Sequence, residues 1–80
     1  MTTWECVVKR ILELCAQRGW TVNKLANMCG MGPTTVKNIL NGKSQNPGVV
    51  TIKKICDGLD MTLIEFFDTE DFRNLEQEIK

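Results

Sequence analysis

The sequence predicts an all-α domain, and three observations carry that prediction. Apolar residues recur at three- and four-residue steps along most of the chain, the spacing of one helix face. The periodic segments are separated by short breaks centred on glycine, at Gly19, Gly30, Asn41-Gly42 and Gly58. The composition, 42% apolar and 25% charged with no tyrosine and two prolines, is that of an ordinary soluble helical domain.

A first helix is expected after Thr3 as N-cap, with Trp4, Val7, Val8, Ile11, Leu12, Leu14 and Cys15 repeating at three- and four-residue steps and Gly19 at its end. Thr21 caps a second, short helix over 22–29. Gly30 then supplies the positive φ that lets the chain turn within three residues. Pro33 opens the third helix, where its missing N–H costs nothing, and Asn41-Gly42 stops it. The polar run 43–48 contains Asn46-Pro47 and is expected as a surface loop. A fourth helix over 49–57 turns Val49, Ile52, Ile55 and Cys56 inward and is terminated by Gly58. Thr62 caps a fifth with Leu63, Ile64, Phe66 and Phe67, the two phenylalanines closing the core. Beyond Asp68 a weaker stripe of Phe72, Leu75 and Ile79 suggests a short sixth helix. The expected layout is therefore a compact five-helix domain over 1–68, with a helical extension over 69–80 that is either a lid on it or a dimer contact.

Eighty residues bound the possible functions. A chain of this size buries only roughly 60–65% of its unfolded surface, which leaves little interior for a catalytic cavity. The four cysteines (Cys6, Cys15, Cys29, Cys56) include no Cys-x-x-Cys pair, histidine is absent, and each lies at an apolar-periodic position. They are expected as buried, reduced thiols, without metal or disulfide. The acidic residues Asp57, Asp60, Glu65, Asp68, Glu70 and Asp71 match no calcium-loop spacing, and no glycine-rich phosphate cradle or activated nucleophile is present. No enzymatic activity and no cofactor are expected. No apolar run approaches the ~20 residues that span a bilayer, and the N-terminus lacks a secretion-signal layout, so a cytoplasmic location is expected.

Net charge is zero but strongly divided. Residues 1–54 hold eight Lys/Arg against two Asp/Glu, and residues 55–80 hold two against eight. Such a chain can present a basic face to phosphates and an acidic face to water or a partner. In the third helix Thr34, Lys37, Asn38 and Asn41 stand at i, i+3, i+4 and i+7, opposite Val36, Ile39 and Leu40. One face is anchored while the other is free to lie in a major groove, whose base edges amide, hydroxyl and ammonium groups can match. Asn38 can pair with adenine, Lys37 with guanine and Thr34 with thymine or a phosphate, whereas Pro33 offers apolar contact. Around this helix Asn23, Lys24, Asn41, Lys43, Ser44, Gln45 and Asn46 are donors for the DNA backbone, with Lys43 foremost. Arg10, Arg18, Lys53 and Lys54 are read as plain surface charge.

Leu25-Ala26, Gly30-Met31, Val36, Ile39, Asn41-Gly42-Lys43, Asn46-Pro47 and the closing segment Leu63 to Phe67 together resemble the lambda-repressor-like helix-turn-helix family, the Cro/C1 or Xre type, over about residues 8–67. The resemblance implies a five-helix domain that enters the major groove through helix three and binds two-fold related half-sites as a homodimer. It also implies base-reading positions at Pro33, Thr34, Lys37 and Asn38, and backbone positions at Asn41 and Lys43. Two positions depart from the family pattern. Val22 stands where a phosphate-binding glutamine is common, and Cys15 and Leu40 stand where an arginine–glutamate pair often joins helices one and three. Direct packing in place of a buried ion pair can be neutral or stabilising, because no charge is desolvated.

The expected function is sequence-specific binding of double-stranded DNA to regulate transcription, with 33–41 as the recognition helix. The alternative is a protein-interaction module, such as an antitoxin or anti-repressor, that keeps this scaffold and binds a partner through the acidic C-terminal segment.

Overall fold

A computed structural model describes residues 1–79, and all of its regular structure is helical. The helices are α1 (Thr3–Arg18), α2 (Val22–Cys29), α3 (Pro33–Leu40), α4 (Val49–Gly58), α5 (Leu63–Phe67) and α6 (Glu70–Arg73). Among the described residues, no helix is long and apolar enough to cross a membrane.

Each start has a local cause. Thr2, not Thr3, caps α1: its hydroxyl accepts from Glu5 N at 3.2 Å and its own N–H donates to Glu5 Oε1 at 2.9 Å. The reciprocal box needs a glutamate three residues after the cap, and that spacing selects Thr2, because Cys6 would fill the position after Thr3. Thr62 and Glu65 repeat the device at α5. Thr21 caps α2 by accepting from Lys24 N at 3.1 Å. Pro33 is the first residue of α3, preceded by Gly32 in extended conformation.

The core is a single apolar cluster. Ile11, Leu25, Ala26, Val36, Ile55, Cys56 and Phe66 are fully enclosed, with no buried polar side chain among them. α2 is the central element, packing chiefly on α4 and then on α3. The close approach to α4 depends on Gly58: a Cβ there would lie 2.6 Å from Cys29 Sγ and 2.9 Å from the Met28 carbonyl carbon and oxygen. Gly58 is therefore the last residue of α4 and a contact point, not its terminator. The left-handed residue that follows is Asp60, at φ 57°.

The apolar stripes are narrower than the sequence suggests. Ile52, Ile55, Cys56 and Leu59 face inward from α4, but Val49, one turn earlier, projects past the layer beneath and is 73% exposed. Leu12 and Ile64 are also exposed. Phe66 is buried, whereas Phe67 stays half in solvent, with its ring edge-on to those of Phe66 and Phe72. α6 is one turn long, so Phe72, Leu75 and Ile79 form no helical stripe: Phe72 packs against the core, and Leu75 and Ile79 lie beyond the helix end. All four cysteines are buried and free. Burial pushes their thiols up, Cys29 to about 11, which keeps them protonated and unreactive at neutral pH.

Candidate nucleic-acid interface

α2, the turn 30–32 and α3 form the feature around which the site is built. Gly30 takes φ 68° and its N–H closes back on α2, while Met31 N donates to Ala26 O at 3.0 Å. A left-handed residue with these bonds ends a helix within one residue and redirects the chain. α3 therefore leaves the turn at an angle determined by backbone hydrogen bonds rather than by a flexible loop. Its inner side buries Val36 and Ile39, and Leu40 packs partly against the same cluster that contains Cys15. The two positions that depart from the family's ion pair are thus both part of the apolar core.

The outer side of α3 presents Pro33, Thr34 and Lys37 to solvent, with Asn38 half-buried beside them. The C-terminal end of this helix is tightly held. Its last carbonyls have no intrahelical partners, and three are satisfied from elsewhere: Lys37 O by Asn41 N at 2.9 Å, Asn38 O by Ser44 N at 2.9 Å, and Ile39 O by the indole Nε1 of Trp4 at 2.7 Å. The last of these comes from α1 and lies outside the contacts that the sequence led us to expect around the site. The signal available in the sequence was that a partly buried tryptophan carries one N–H needing an acceptor.

The backbone candidates divide. Asn23 and Lys24 are exposed in the first turn of α2, on the side away from the buried Leu25 and Ala26. Val22 is half-buried against the core and has no polar group to offer. Asn41 Oδ1 accepts from Lys43 N at 3.0 Å, which leaves its amide nitrogen as the free donor and holds the backbone that carries Lys43. Ser44 is half-buried, with its N–H committed to Asn38 O. Asn46 and Gln45 lie apart, in a recess shared with Thr2, Thr3, Trp4 and Glu78. A carboxylate beside them opposes a phosphate there.

Ion pairing removes much of the basic half of the chain from consideration. Lys9 pairs with Asp71 at 2.5 Å, which raises its pKa, and Lys53 pairs with Asp57. Arg10 donates to Phe66 O at 2.8 Å and Glu65 O at 2.9 Å, and Arg18 donates to Leu59 O at 2.9 Å while lying over the Trp20 ring. The two arginines read as surface charge instead cap the C-terminal ends of α5 and α4, where carbonyls carry partial negative charge. Among the described residues, Lys24, Lys37, Lys43 and Lys54 are the lysines without an ion pair. Three of these four belong to α2, α3 and the loop after α3. The acidic half is correspondingly engaged, with Asp68 and Glu70 on Arg73 and Glu76 on the Met1 ammonium. No group of acidic or cysteine side chains among the described residues is arranged to hold a metal ion.

Known proteins share this arrangement. The chain is 34% identical over 65 residues to the HTH-type transcriptional regulator SlrR of Bacillus subtilis (strain 168), a match that takes in 80% of the chain but only 43% of that regulator. The crystal structure of the prophage Lp1 protein 11 superposes with a TM-score of 0.80 at 32% identity, covering 94% of this chain and all of that one. The family description of the Cro/C1-type HTH DNA-binding domain matches residues 10–71, the segment from the first helix to α6, and the chain belongs to that family.

Proposed function

We propose that this chain binds double-stranded DNA sequence-specifically to regulate transcription, with α3 lying in the major groove and without catalysis. The observation that carries this reading is the split character of α3: Val36 and Ile39 are enclosed while Thr34 and Lys37 are open to solvent, on a helix whose two ends are held by backbone and indole hydrogen bonds. A pre-positioned helix does not lose orientational freedom on binding, so its side chains can discriminate between base edges. In this reading Lys37 and Asn38 contact bases, with Thr34 and Pro33 at the helix tip. Asn23, Lys24, Asn41, Lys43 and Ser44 hold phosphates, and the unpaired Lys24, Lys37 and Lys43 supply the non-specific attraction. Two copies bind related half-sites in the cytoplasm.

Selection of bound duplexes from a random library tests the proposal, followed by titration of the selected site with Lys37→Ala and Asn38→Ala. Each substitution should weaken binding by about 1–3 kcal/mol and relax preference at one position while the helical fold persists. An unenriched library, or wild-type affinity in the double variant, would refute it.

A further inference from the structure

Past α6 the chain turns back over the start of α1. Beyond the helix end Glu76 N donates to Met1 O at 3.4 Å, and the Glu76 carboxylate takes the Met1 ammonium at 3.0 Å. Two residues further on, Glu78 forms one wall of a recess whose other walls are Thr2, Thr3, Trp4, Gln45 and Asn46. The tail therefore reaches the loop after α3 and sets an exposed carboxylate across from two amide side chains. Unlike Glu76, which holds the tail in place, Glu78 carries no ion pair among the described residues.

Gln45 and Asn46 are exposed and carry the amide donors that phosphate oxygens accept from, and they stand on the same loop as Lys43. What separates them from Lys43 is the carboxylate opposite. A phosphate that approached these amides would also approach Glu78, and two like charges a few ångström apart in water repel strongly enough to change binding about fivefold. We infer that Glu78 masks Gln45 and Asn46 from DNA, which makes the C-terminal tail an autoinhibitory strap that lowers affinity for duplex until it is lifted. The inference rests on the proposed DNA binding through α3 and the loop that follows it. The strap is lightly held, because an exposed ion pair of the Met1–Glu76 kind contributes little. Phe72 is the last apolar residue packed against the core, so the tail can lift without disturbing it. Whatever draws the tail away shifts the population toward a form with two more phosphate donors.

The test uses the full chain with Glu78→Gln, which removes the charge and keeps the shape. The control is Asp60→Asn, an equal change of charge at an exposed residue near the far end of α1, where Arg18 donates to Leu59 O at 2.9 Å; sixteen helical residues put that end roughly 24 Å from the Thr2 end. On a selected duplex Glu78→Gln should bind about fivefold more tightly than wild type, and Asp60→Asn should bind as wild type does. Adding Gln45→Ala and Asn46→Ala should abolish the gain, although the same pair in the wild-type background changes affinity little. A gain no larger than that of Asp60→Asn, or one that survives loss of both amides, would overturn the masking. The position of the tail is read without DNA, by iodide quenching of Trp4 in a Trp20→Phe background. Quenching should rise with Glu78→Gln, because the carboxylate no longer repels the anion from the recess; unchanged quenching would overturn the strap. If quenching rises but neither form binds any duplex, the proposed DNA binding fails, and the masking with it, while the placement of the tail stands.

Discussion

The indole Nε1 of Trp4 donates to the carbonyl oxygen of Ile39 at 2.7 Å, joining the first turn of α1 to the last turn of α3. The two residues are 35 apart in sequence, and Ile39 is buried. A helix end with its carbonyls satisfied frays less, and here the bond secures the end from which the Asn41–Ser44 turn departs. Replacing Trp4 by Phe keeps most of the apolar contact and removes the donor. We expect a loss of about 1 kcal/mol, seen in a thermal melt as a fall of roughly 4–8 °C for a domain of this length. Unchanged melting would show that water replaces the indole at no cost.

Lys43 is exposed, carries no ion pair among the described residues, and sits on a backbone held by Asn41 Oδ1. Lys43→Ala should lower the slope of log K against log salt by ~0.9, the value of one phosphate contact. Lys53→Ala, which removes a lysine already paired with Asp57, should leave that slope unchanged. Equal slopes for all three proteins would remove Lys43 from the interface.

Leu40 packs partly against the cluster that contains buried Cys15. Leu40→Glu would press a carboxylate against apolar neighbours with no arginine to receive it, and should cost on the order of 1–3 kcal/mol in denaturant unfolding. A melting temperature equal to wild type would mean that Cys15 and Leu40 are not packed together.

Gly58→Ala adds a methyl where Cys29 Sγ would be 2.6 Å away and the Met28 backbone 2.9 Å away. Alanine favours a helix by about 1 kcal/mol over glycine, yet the clash involves main chain that cannot rotate aside. A net destabilisation of about 1–3 kcal/mol is expected, with DNA affinity falling as α2 is pushed off α4. A stabilised variant in chemical denaturation would contradict the close α2–α4 approach.

Hydrogen bonds from the backbone and hydroxyl of Thr2 hold the Glu5 carboxyl below its usual 4.5, and those of Thr62 do the same for Glu65. Because the folded values lie below the unfolded ones, the stabilisation is complete above about pH 4.5 and fades as pH falls through the folded values. Unfolding free energy followed downward from pH 6 should therefore drop at the acid end, and Glu5→Gln combined with Glu65→Gln should make that drop shallower. An identical acid limb in the double variant would separate the two caps from acid stability.

Helix number and order were legible in the sequence because they depend on near neighbours. A threonine three residues before a glutamate, a proline at a helix start, and a glycine where φ must be positive each act within a turn; α2 has the expected bounds and α3 the expected start, with Asn41 as its C-cap instead of its last residue. The division of α3 into an enclosed and an open side followed from its period, with Asn38 placed only halfway in. Where one capping residue competes with the next, as with Thr2 and Thr3, the spacing to Glu5 decided, and that too was present in the sequence.

Relationships between distant segments were decided only by the tertiary structure. Periodicity identifies an apolar side but not how far the neighbouring layer extends, so Val49, expected inside, lies outside, and Phe67, expected to close the core, stays half in solvent. It cannot say which charges are spent: Lys9 meets Asp71, and Arg10 meets the end of α5 fifty-six residues later, because α1 and the C-terminal segment are neighbours in space. Nor can it show that Trp4 holds the end of α3 or that Gly58 is needed for a close approach rather than a turn. Short-range hydrogen bonding and helical period are local quantities, written residue by residue in the chain; burial limits, ion pairing and interhelical contact depend on which surfaces meet once it has folded.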